Sequence, residues 1–139
     1  MRTICLRFSD AFAPKEGTIR LHQEEIEKNG YVWYGKLGNK ISEKVLNEIV
    51  KSESKKILLV KSGSTERYWA TVVAFDYEYQ KEHPSYYTDY MFMKTWLKIT
   101  KIEKAPDDII NRCTVASTKK CLADIFKKTM SACFIVDIE

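Results

Sequence analysis

The sequence predicts a mixed α/β domain whose sheet curls into a partly closed β-barrel with helices packed outside it. Three observations lead to this fold class. Strand-like and helix-like patterns alternate along the 139 residues. Residues 62–65 (SGST) separate two strand-like segments and predict a hairpin, hence at least one antiparallel pair. The uninterrupted apolar run at residues 57–60 is typical of a strand buried on both faces.

The first half of the chain contains two predicted strands and two predicted helices. Residues 3–8 alternate apolar and polar side chains and predict a strand. A helix is predicted over Thr18–Asn29, with the threonine as its cap and Gly30 as its end. Residues 31–34 form a short aromatic strand, followed by a turn-rich loop at 35–40. A second helix, with one apolar stripe, is predicted to start at a Ser42 cap.

The second half is predicted to supply the central strands of the sheet. Strands are expected over Lys56–Lys61 and, after the SGST turn, over residues 67–77. Residues 78–93 are rich in tyrosine and show no clear periodicity, so they predict a long loop. Long loops in compact domains often carry function.

The remaining segments complete the predicted sheet. Residues 94–102 predict a strand with Trp96 on the face opposite its aliphatic side chains. Ser117 is predicted to cap a third helix, and Cys133–Ile138 to form the last strand. The chain is therefore expected to be one domain spanning residues 1–139.

Composition bounds the classes of function. The chain is 45% hydrophobic and 30% charged, which excludes a disordered chain. Its net charge of +4 permits a phosphate-bearing partner without requiring one. No signal peptide or membrane span is apparent, so we expect a cytoplasmic protein without a membrane partner.

The cysteines and histidines do not form a recognisable reactive site. The four cysteines include no CxxC pair and no histidine at metal-ligand spacing, which predicts free thiols, no metal and no cofactor. The two histidines, His22 and His83, have no local cysteine or serine partner. No nucleotide-binding or metalloprotease motif occurs. The sequence therefore favours a binding domain over an enzyme.

Aromatic side chains are the strongest sign of a binding site. Trp33 lies at the end of a predicted strand and Trp69 on the hairpin strand, while the long loop adds Tyr86, Tyr87 and Tyr90. Rings brought together from these segments could enclose a planar base, and stacking contributes about 1–3 kcal/mol per base. The alternative is that the tryptophans fill the core.

Basic side chains near these aromatic residues could meet the phosphates of a nucleic acid. They are Lys36, Lys40, Lys61 and Arg67.

Three segments resemble YTH domains. Residues 30–40 (GYVWYGKLGNK) resemble the first-strand region, where a Val-Trp pair is followed by a loop and Gly-Asn-Lys. Residues 57–73 (ILLVKSGSTERYWATVV) are similar to the strand, Gly-Ser turn and returning strand, and residues 96–102 (WLKITKI) resemble a later strand. YTH domains belong with EVE and ASCH domains to the PUA-like group, so the resemblance implies a PUA-like fold.

The resemblance also implies a function and a site. YTH domains hold methylated adenine of RNA in an aromatic cage. By position, Trp33 matches the first cage tryptophan, Tyr34 a residue whose backbone contacts the base, and Ser62 and Gly63 the turn beside the pocket. The long loop of this chain has no tryptophan, so a tyrosine or phenylalanine must replace the second cage residue. The candidates are Tyr86, Tyr87, Tyr90 and Phe92.

Three functional hypotheses follow. The leading one is a non-catalytic reader of a modified base, such as methylated adenine or cytosine. By analogy with EVE domains it would be the specificity module of a modification-dependent restriction or defence system, with DNA favoured over RNA and with further domains in a longer protein. The second is an ASCH-like hydrolase of a modified nucleoside, which would need Lys61, Thr71 and Glu78 to converge. The third is a sensor of a nucleotide or other small molecule.

Overall fold

A computed structural model describes all 139 residues and contains one seven-stranded sheet with three helices. The strands are β1 (Arg2–Phe8), β2 (Val32–Leu37), β3 (Lys56–Lys61), β4 (Arg67–Asp76), β5 (Met93–Lys104), β6 (Cys113–Val115) and β7 (Cys133–Ile138). The helices are α1 (Thr18–Asn29), α2 (Glu43–Lys51) and α3 (Leu122–Phe126). The predicted mixed α/β class is confirmed.

The strand order is β2-β5-β4-β3-β1-β7-β6. β1 and β3 pair in parallel, and every other neighbouring pair is antiparallel, including the predicted β3–β4 hairpin. The edge strands β2 and β6 do not pair with each other, so the sheet is open. Closure into a partial barrel therefore stays a prediction.

Both faces of the sheet are covered, because its central strands are apolar on both sides. In β3, Ile57 and Leu59 belong to one core cluster and Leu58 and Val60 to the other. Helices α1 and α2 pack on the first face, and α3 packs on the second. This arrangement confirms that the apolar run at residues 57–60 is a strand buried on both faces.

Helix ends follow the predicted signals in two of four places. Gly30 ends α1 in a left-handed conformation with φ of +86°, and the Ser42 hydroxyl accepts from the Val45 N–H at the start of α2. The prediction that Thr18 caps α1 is wrong: Gly17 precedes the helix, and the Thr18 N–H donates to an Asp10 carboxylate oxygen instead. The third helix is preceded by Cys121 rather than Ser117.

Two strands differ from prediction. β2 continues through Leu37 into the predicted loop, because these residues pair with β5. β6 was not predicted, because its three residues are too few to show an alternating pattern.

No helix in the structure combines the length and apolarity needed to cross a membrane.

Candidate functional site

A cavity of about 230 Å³ opens on the first face of the sheet, where β1, β2, the start of α1 and the loop after β4 meet. Aromatic side chains form much of its wall, and we call it the tyrosine cavity after Tyr34, Tyr86 and Tyr87. Apolar side chains of β1 and β5 complete the wall; they are Leu6, Phe8 and Met93.

Strand alternation decides which β2 side chain reaches the tyrosine cavity. Tyr34 shares a face with Val32 and packs in the first core cluster, with its ring 5.0 Å from the His22 ring. The Tyr34 hydroxyl has no hydrogen-bond partner in the protein. Burial raises the pKa of this hydroxyl, so it stays protonated and can donate to a ligand.

A buried hydrogen-bond chain supports the wall behind Tyr34. His22 Nδ1 lies 2.7 Å from the carbonyl oxygen of Thr18, and a carbonyl only accepts, so Nδ1 carries the proton. His22 Nε2 therefore accepts from the Tyr87 hydroxyl at 2.6 Å. The Tyr87 oxygen in turn accepts from the Gly35 N–H at 3.3 Å. Burial lowers the pKa of His22 to about 4, which keeps the imidazole neutral at pH 7.

The mouth of the tyrosine cavity combines exposed apolar side chains with charged ones. Phe12 is 79% exposed and Leu37 is 45% exposed. Lys36 Nζ donates to the carbonyls of Leu37 and Asn39 at 3.0 and 3.2 Å, so the loop holds its charge at the rim. Arg7 lines another part of the wall.

One acidic side chain also lines the tyrosine cavity. The Asp89 carboxylate forms no hydrogen bond or ion pair with the protein, so its oxygens are available to a ligand donor.

The structure brings together only part of the predicted base site. Tyr34, Tyr86 and Tyr87 line the tyrosine cavity. Trp33 points to the other side of β2, where it is 9% exposed and packs with Trp96 and Tyr87.

The other predicted aromatic residues lie elsewhere. Trp69 packs against the second core cluster, on the opposite face of the sheet from the tyrosine cavity. Tyr90 is exposed beside Tyr79, with ring centroids 4.9 Å apart, and does not line the cavity.

The predicted phosphate-binding side chains fall into separate places. Lys36 and Lys40 share a groove with Lys44 next to the tyrosine cavity, which we call the lysine groove. Lys40 Nζ lies 4.9 Å from the Tyr77 ring centre. In contrast, Lys61 Nζ lies 3.0 Å from carboxylate oxygens of both Asp10 and Glu66, so acidic neighbours already balance its charge.

Arg67, Ser62 and Gly63 line a further groove beyond β1. We call it the turn groove, because the turn between β3 and β4 forms one wall.

The three residues required by the hydrolase hypothesis are not brought together. Thr71 pairs with Lys56, five positions before Lys61 in β3, a separation of about 16 Å along the strand. Glu78 follows β4 beyond Asp76, further in the same direction. None of the principal cavities is lined by all three.

Sequence reasoning missed several side chains of the cavity: Arg7, Phe12, His22 and Asp89. One signal was available for Phe12, because a large aromatic residue in a loop with proline and glycine has no strand or helix to bury it. His22 lies on α1 one turn from Thr18, and its partner Tyr87 is 65 residues away, so local spacing contains no sign of the contact.

All four cysteines are unpaired, and no group of three or more histidine, cysteine or carboxylate side chains is arranged to hold a metal ion. Burial raises the pKa of the Cys113 thiol to about 11, and it also raises the pKa of Cys5 and Cys133. These thiols therefore stay protonated near neutral pH and are poor nucleophiles.

Comparison with known proteins assigns the chain at the level of a family. A family model described as Pua-like matches residues 4–130. This range contains all three helices, β2 to β6 and most of β1, and it ends before β7. No curated protein and no solved structure matches the chain.

Proposed function

Since the chain belongs to the Pua-like family, whose domains generally bind RNA or other nucleic acids, we propose that it is a non-catalytic nucleic-acid-binding domain that holds one base in the tyrosine cavity. The bound base would be unpaired or flipped out of its stack, since an aromatic wall can contact only an exposed base face.

The observation that carries the proposal is an aromatic cavity with cations beside it. Its volume of about 230 Å³ lies below the roughly 300–1,000 Å³ typical of pockets for drug-sized ligands, which suits a single base. Tyr86 and Tyr34 supply ring surface, and Lys36 and Arg7 supply positive charge at the wall. A stacked ring contributes about 1–3 kcal/mol, and the cations would attract the adjoining phosphates.

The polar groups of the cavity favour a base with an amino group. The Asp89 carboxylate can accept from the exocyclic amine of adenine or cytosine, as carboxylates do with cytosine N4. The Tyr34 hydroxyl can donate to a ring nitrogen or carbonyl. Uracil and thymine present a carbonyl where cytosine has its amine. That carbonyl and the Asp89 carboxylate both accept hydrogen bonds, so no bond would form between them.

The apolar walls support the finer proposal that the base is methylated. A methyl group placed against Leu6, Phe8 or Met93 would leave water, with a gain of about 25 cal/mol per Å² of buried apolar area. Analogy with EVE domains extends the proposal to the specificity module of a modification-dependent restriction or defence system, with DNA favoured over RNA.

The lysine groove offers a path for the strand that carries the base. Lys36 lines both the tyrosine cavity and this groove, where Lys40 and Lys44 follow. Phosphates on one side of the bound nucleotide would therefore meet successive lysines.

The test is a binding screen with single- and double-stranded DNA and RNA oligonucleotides, with and without N6-methyladenine or 5-methylcytosine, measured by fluorescence anisotropy. Tyr86→Ala should weaken binding by about 5- to 150-fold, the equivalent of one lost stacking contact. Tyr90→Ala is the matched control, because Tyr90 lies outside the cavity.

Each alternative has its own outcome in the same samples. Loss of binding with Tyr90→Ala but not with Tyr86→Ala would move the site to the exposed tyrosines and contradict the proposal. Release of a free base or a modified nucleoside product would support the hydrolase hypothesis instead. Binding of mononucleotides as tight as that of oligonucleotides would support a small-molecule sensor.

A further inference from the structure

The turn groove lies on the far side of Arg7 from the tyrosine cavity and has a volume of about 750 Å³. Its walls are the turn at residues 62–65, the start of β4, and the end of α3. Arg7, Arg67 and Lys127 line it, and Asp107 is its one acidic side chain. Lys61 also lines it, with its charge already balanced by Asp10 and Glu66.

The turn presents free donors to this groove. Within the turn, the Ser64 N–H donates to the Lys61 carbonyl, and the Glu66 N–H donates to the Ser64 hydroxyl. The N–H groups of Gly63 and Thr65 have no partner in the protein, and neither have the hydroxyls of Ser62 and Thr65. Gly63 has a φ of +68°, a left-handed conformation of the kind that lets neighbouring N–H groups form an anion-binding concavity.

Arg67 has an unused hydrogen-bonding edge. Its Nη1 donates to the carbonyls of Ser64 and Glu66 at 2.6 and 3.2 Å, which fixes the guanidinium against the turn. Its Nε is the one buried side-chain nitrogen or oxygen in the protein without a hydrogen-bond partner, and its Nη2 also has none. The Nε and Nη2 hydrogens form the parallel pair that binds two oxygens of one oxyanion.

We propose that the turn groove is a second binding site, separate from the tyrosine cavity, for a phosphate group held by Arg67, the Gly63 and Thr65 N–H groups, and Lys127. A rotation of the guanidinium that exchanges one of the two Nη1 contacts would expose the buried Nε to a phosphate oxygen. The contacts that define this site do not depend on a base in the cavity. Because Arg7 lines both places, a nucleotide in the cavity could extend its backbone into the turn groove.

The site can be tested directly with inorganic phosphate. Titration of the ¹⁵N-labelled protein at constant ionic strength should shift the Gly63 and Thr65 amides and the Arg67 Nε resonance along one saturable curve. Arg67→Lys keeps the charge and removes the paired donors, so it should weaken phosphate binding by about tenfold or more. Lys28→Gln is the control, because Lys28 lies at the end of α1 and lines none of the principal cavities.

A second variant protects the test against misfolding. The Lys127 side chain forms no hydrogen bond or ion pair, so Lys127→Gln should fold normally and still weaken phosphate binding by several-fold. Shifts that do not saturate, or equal affinity in Arg67→Lys, Lys127→Gln and Lys28→Gln, would overturn the proposal.

The source of the phosphate is separated by a second set of titrations. Oligonucleotides with and without a 5′-phosphate are compared with free phosphate. Tighter binding of the phosphorylated strand, lost in Arg67→Lys, would assign the site to nucleic acid; equal affinity for free phosphate would assign it to a small anion. Tyr86→Ala should leave phosphate binding intact, so failure of the base site and failure of this site are distinguishable.

Discussion

Tyr87 has two roles in one hydrogen-bond chain, since its hydroxyl donates to His22 and accepts from Gly35. Its ring also lines the tyrosine cavity and stacks on His83, with centroids 4.7 Å apart and planes 9° from parallel. Both ring nitrogens of His22 and the Tyr87 hydroxyl therefore have partners, as a satisfied buried network requires. The same contacts fix the back wall of the cavity in one position.

Removing the Tyr87 hydroxyl should destabilise the fold. Tyr87→Phe leaves His22 Nε2 as a buried acceptor without a donor, at a cost of about 1–3 kcal/mol in the free energy of unfolding. Urea unfolding measures the loss. Tyr90→Phe is the control, because the exposed Tyr90 hydroxyl has no partner. Equal stability of the two variants would show that water replaces the missing donor.

Because the pKa of His22 is lowered in the folded protein, the free energy of unfolding should decrease as the pH is lowered. In the unfolded chain the imidazole binds a proton below about 6.5, whereas in the folded protein it does so only near pH 4. Falling pH therefore favours the unfolded state across this window, by up to about 1.4 kcal/mol per pH unit. The loss between pH 7 and pH 5 should be about 2 kcal/mol.

Urea unfolding at pH 7, 6 and 5 measures this dependence. The carboxyl groups with lowered pKa values contribute only further down, because their unfolded values are 3.8 and 4.5. His83→Gln should keep most of the pH dependence, because burial, rather than the charge of His83, is the main cause of the lowered His22 pKa. A flat profile in the unsubstituted protein would contradict the buried, neutral state of His22.

The position of Trp33 distinguishes the tyrosine cavity from the aromatic cage that the YTH resemblance implies. With 9% exposure and contacts to Trp96 and Tyr87, the side chain fills a small aromatic core. Trp33→Ala should therefore lower the free energy of unfolding by about 3–5 kcal/mol, with ligand affinity kept in the folded fraction. A melting curve and a binding titration on the same variant decide this. Unchanged melting with lost binding would support the cage instead.

At the scale of elements, β2 determines the geometry of the site. Its alternate residues face two different clusters, Tyr34 towards α1 and Trp33 towards the loop after β4. Gly35 follows Tyr34, and a Cβ added there would point to the Trp33 side of the strand, where it would collide with Met93 Sδ and come within 3.1 Å of the Trp96 ring. The glycine is therefore required by space rather than by its backbone angles.

Gly35→Ala should displace Met93 and narrow the tyrosine cavity. We expect a loss of about 1–3 kcal/mol in the free energy of unfolding, as for other overpacked sites, together with weaker ligand binding. Adding Met93→Ala removes the nearer obstacle and should restore part of the stability. Unfolding curves of the single and double variants measure this coupling. A double variant that loses more than the sum of the single variants would contradict the collision.

Strand prediction succeeded where the sequence pattern was long, and it failed where pairing with a neighbouring strand determines the structure. The alternating and apolar runs of β1 and β3 identified both strands. The end of β2 looked like a turn, with glycines at 35 and 38, yet β5 pairs with it as far as Leu37. The short β6 is held by its pairing with β7 rather than by its own three residues.

On the scale of the whole molecule, the site draws on segments that the sequence keeps far apart. Tyr86 and Tyr87 were predicted because the loop is rich in tyrosine, and Tyr34 because it follows Trp33. Phe12 and Asp89 depend on how α1 and the loop pack on the sheet, which no local pattern records. Trp33 and Trp69 were predicted from their places at a strand end and on the hairpin strand, but strand alternation directs both side chains away from the cavity.

The distribution of charge predicts which lysines affect the salt dependence of nucleic-acid binding. Lys40→Gln should lower the slope of log affinity against log salt by about 0.7–1 unit, because one phosphate contact is lost. Lys61→Gln should leave the slope nearly unchanged, because Asp10 and Glu66 already pair with Lys61. Binding titrations from low to moderate salt compare the two. The opposite ranking of the two variants would place the bound nucleic-acid strand over Lys61 rather than in the lysine groove.

The position of β1 has a consequence for synthesis on the ribosome. β1 pairs with β3 on one side and with β7 on the other, so Cys5 lies between Leu58 and Phe134. One edge of β1 stays open until residues 133–138 have emerged from the exit tunnel. Until those residues appear, the nascent domain presents an apolar strand with unpaired backbone groups, the kind of edge that chaperones cover and that other chains can join.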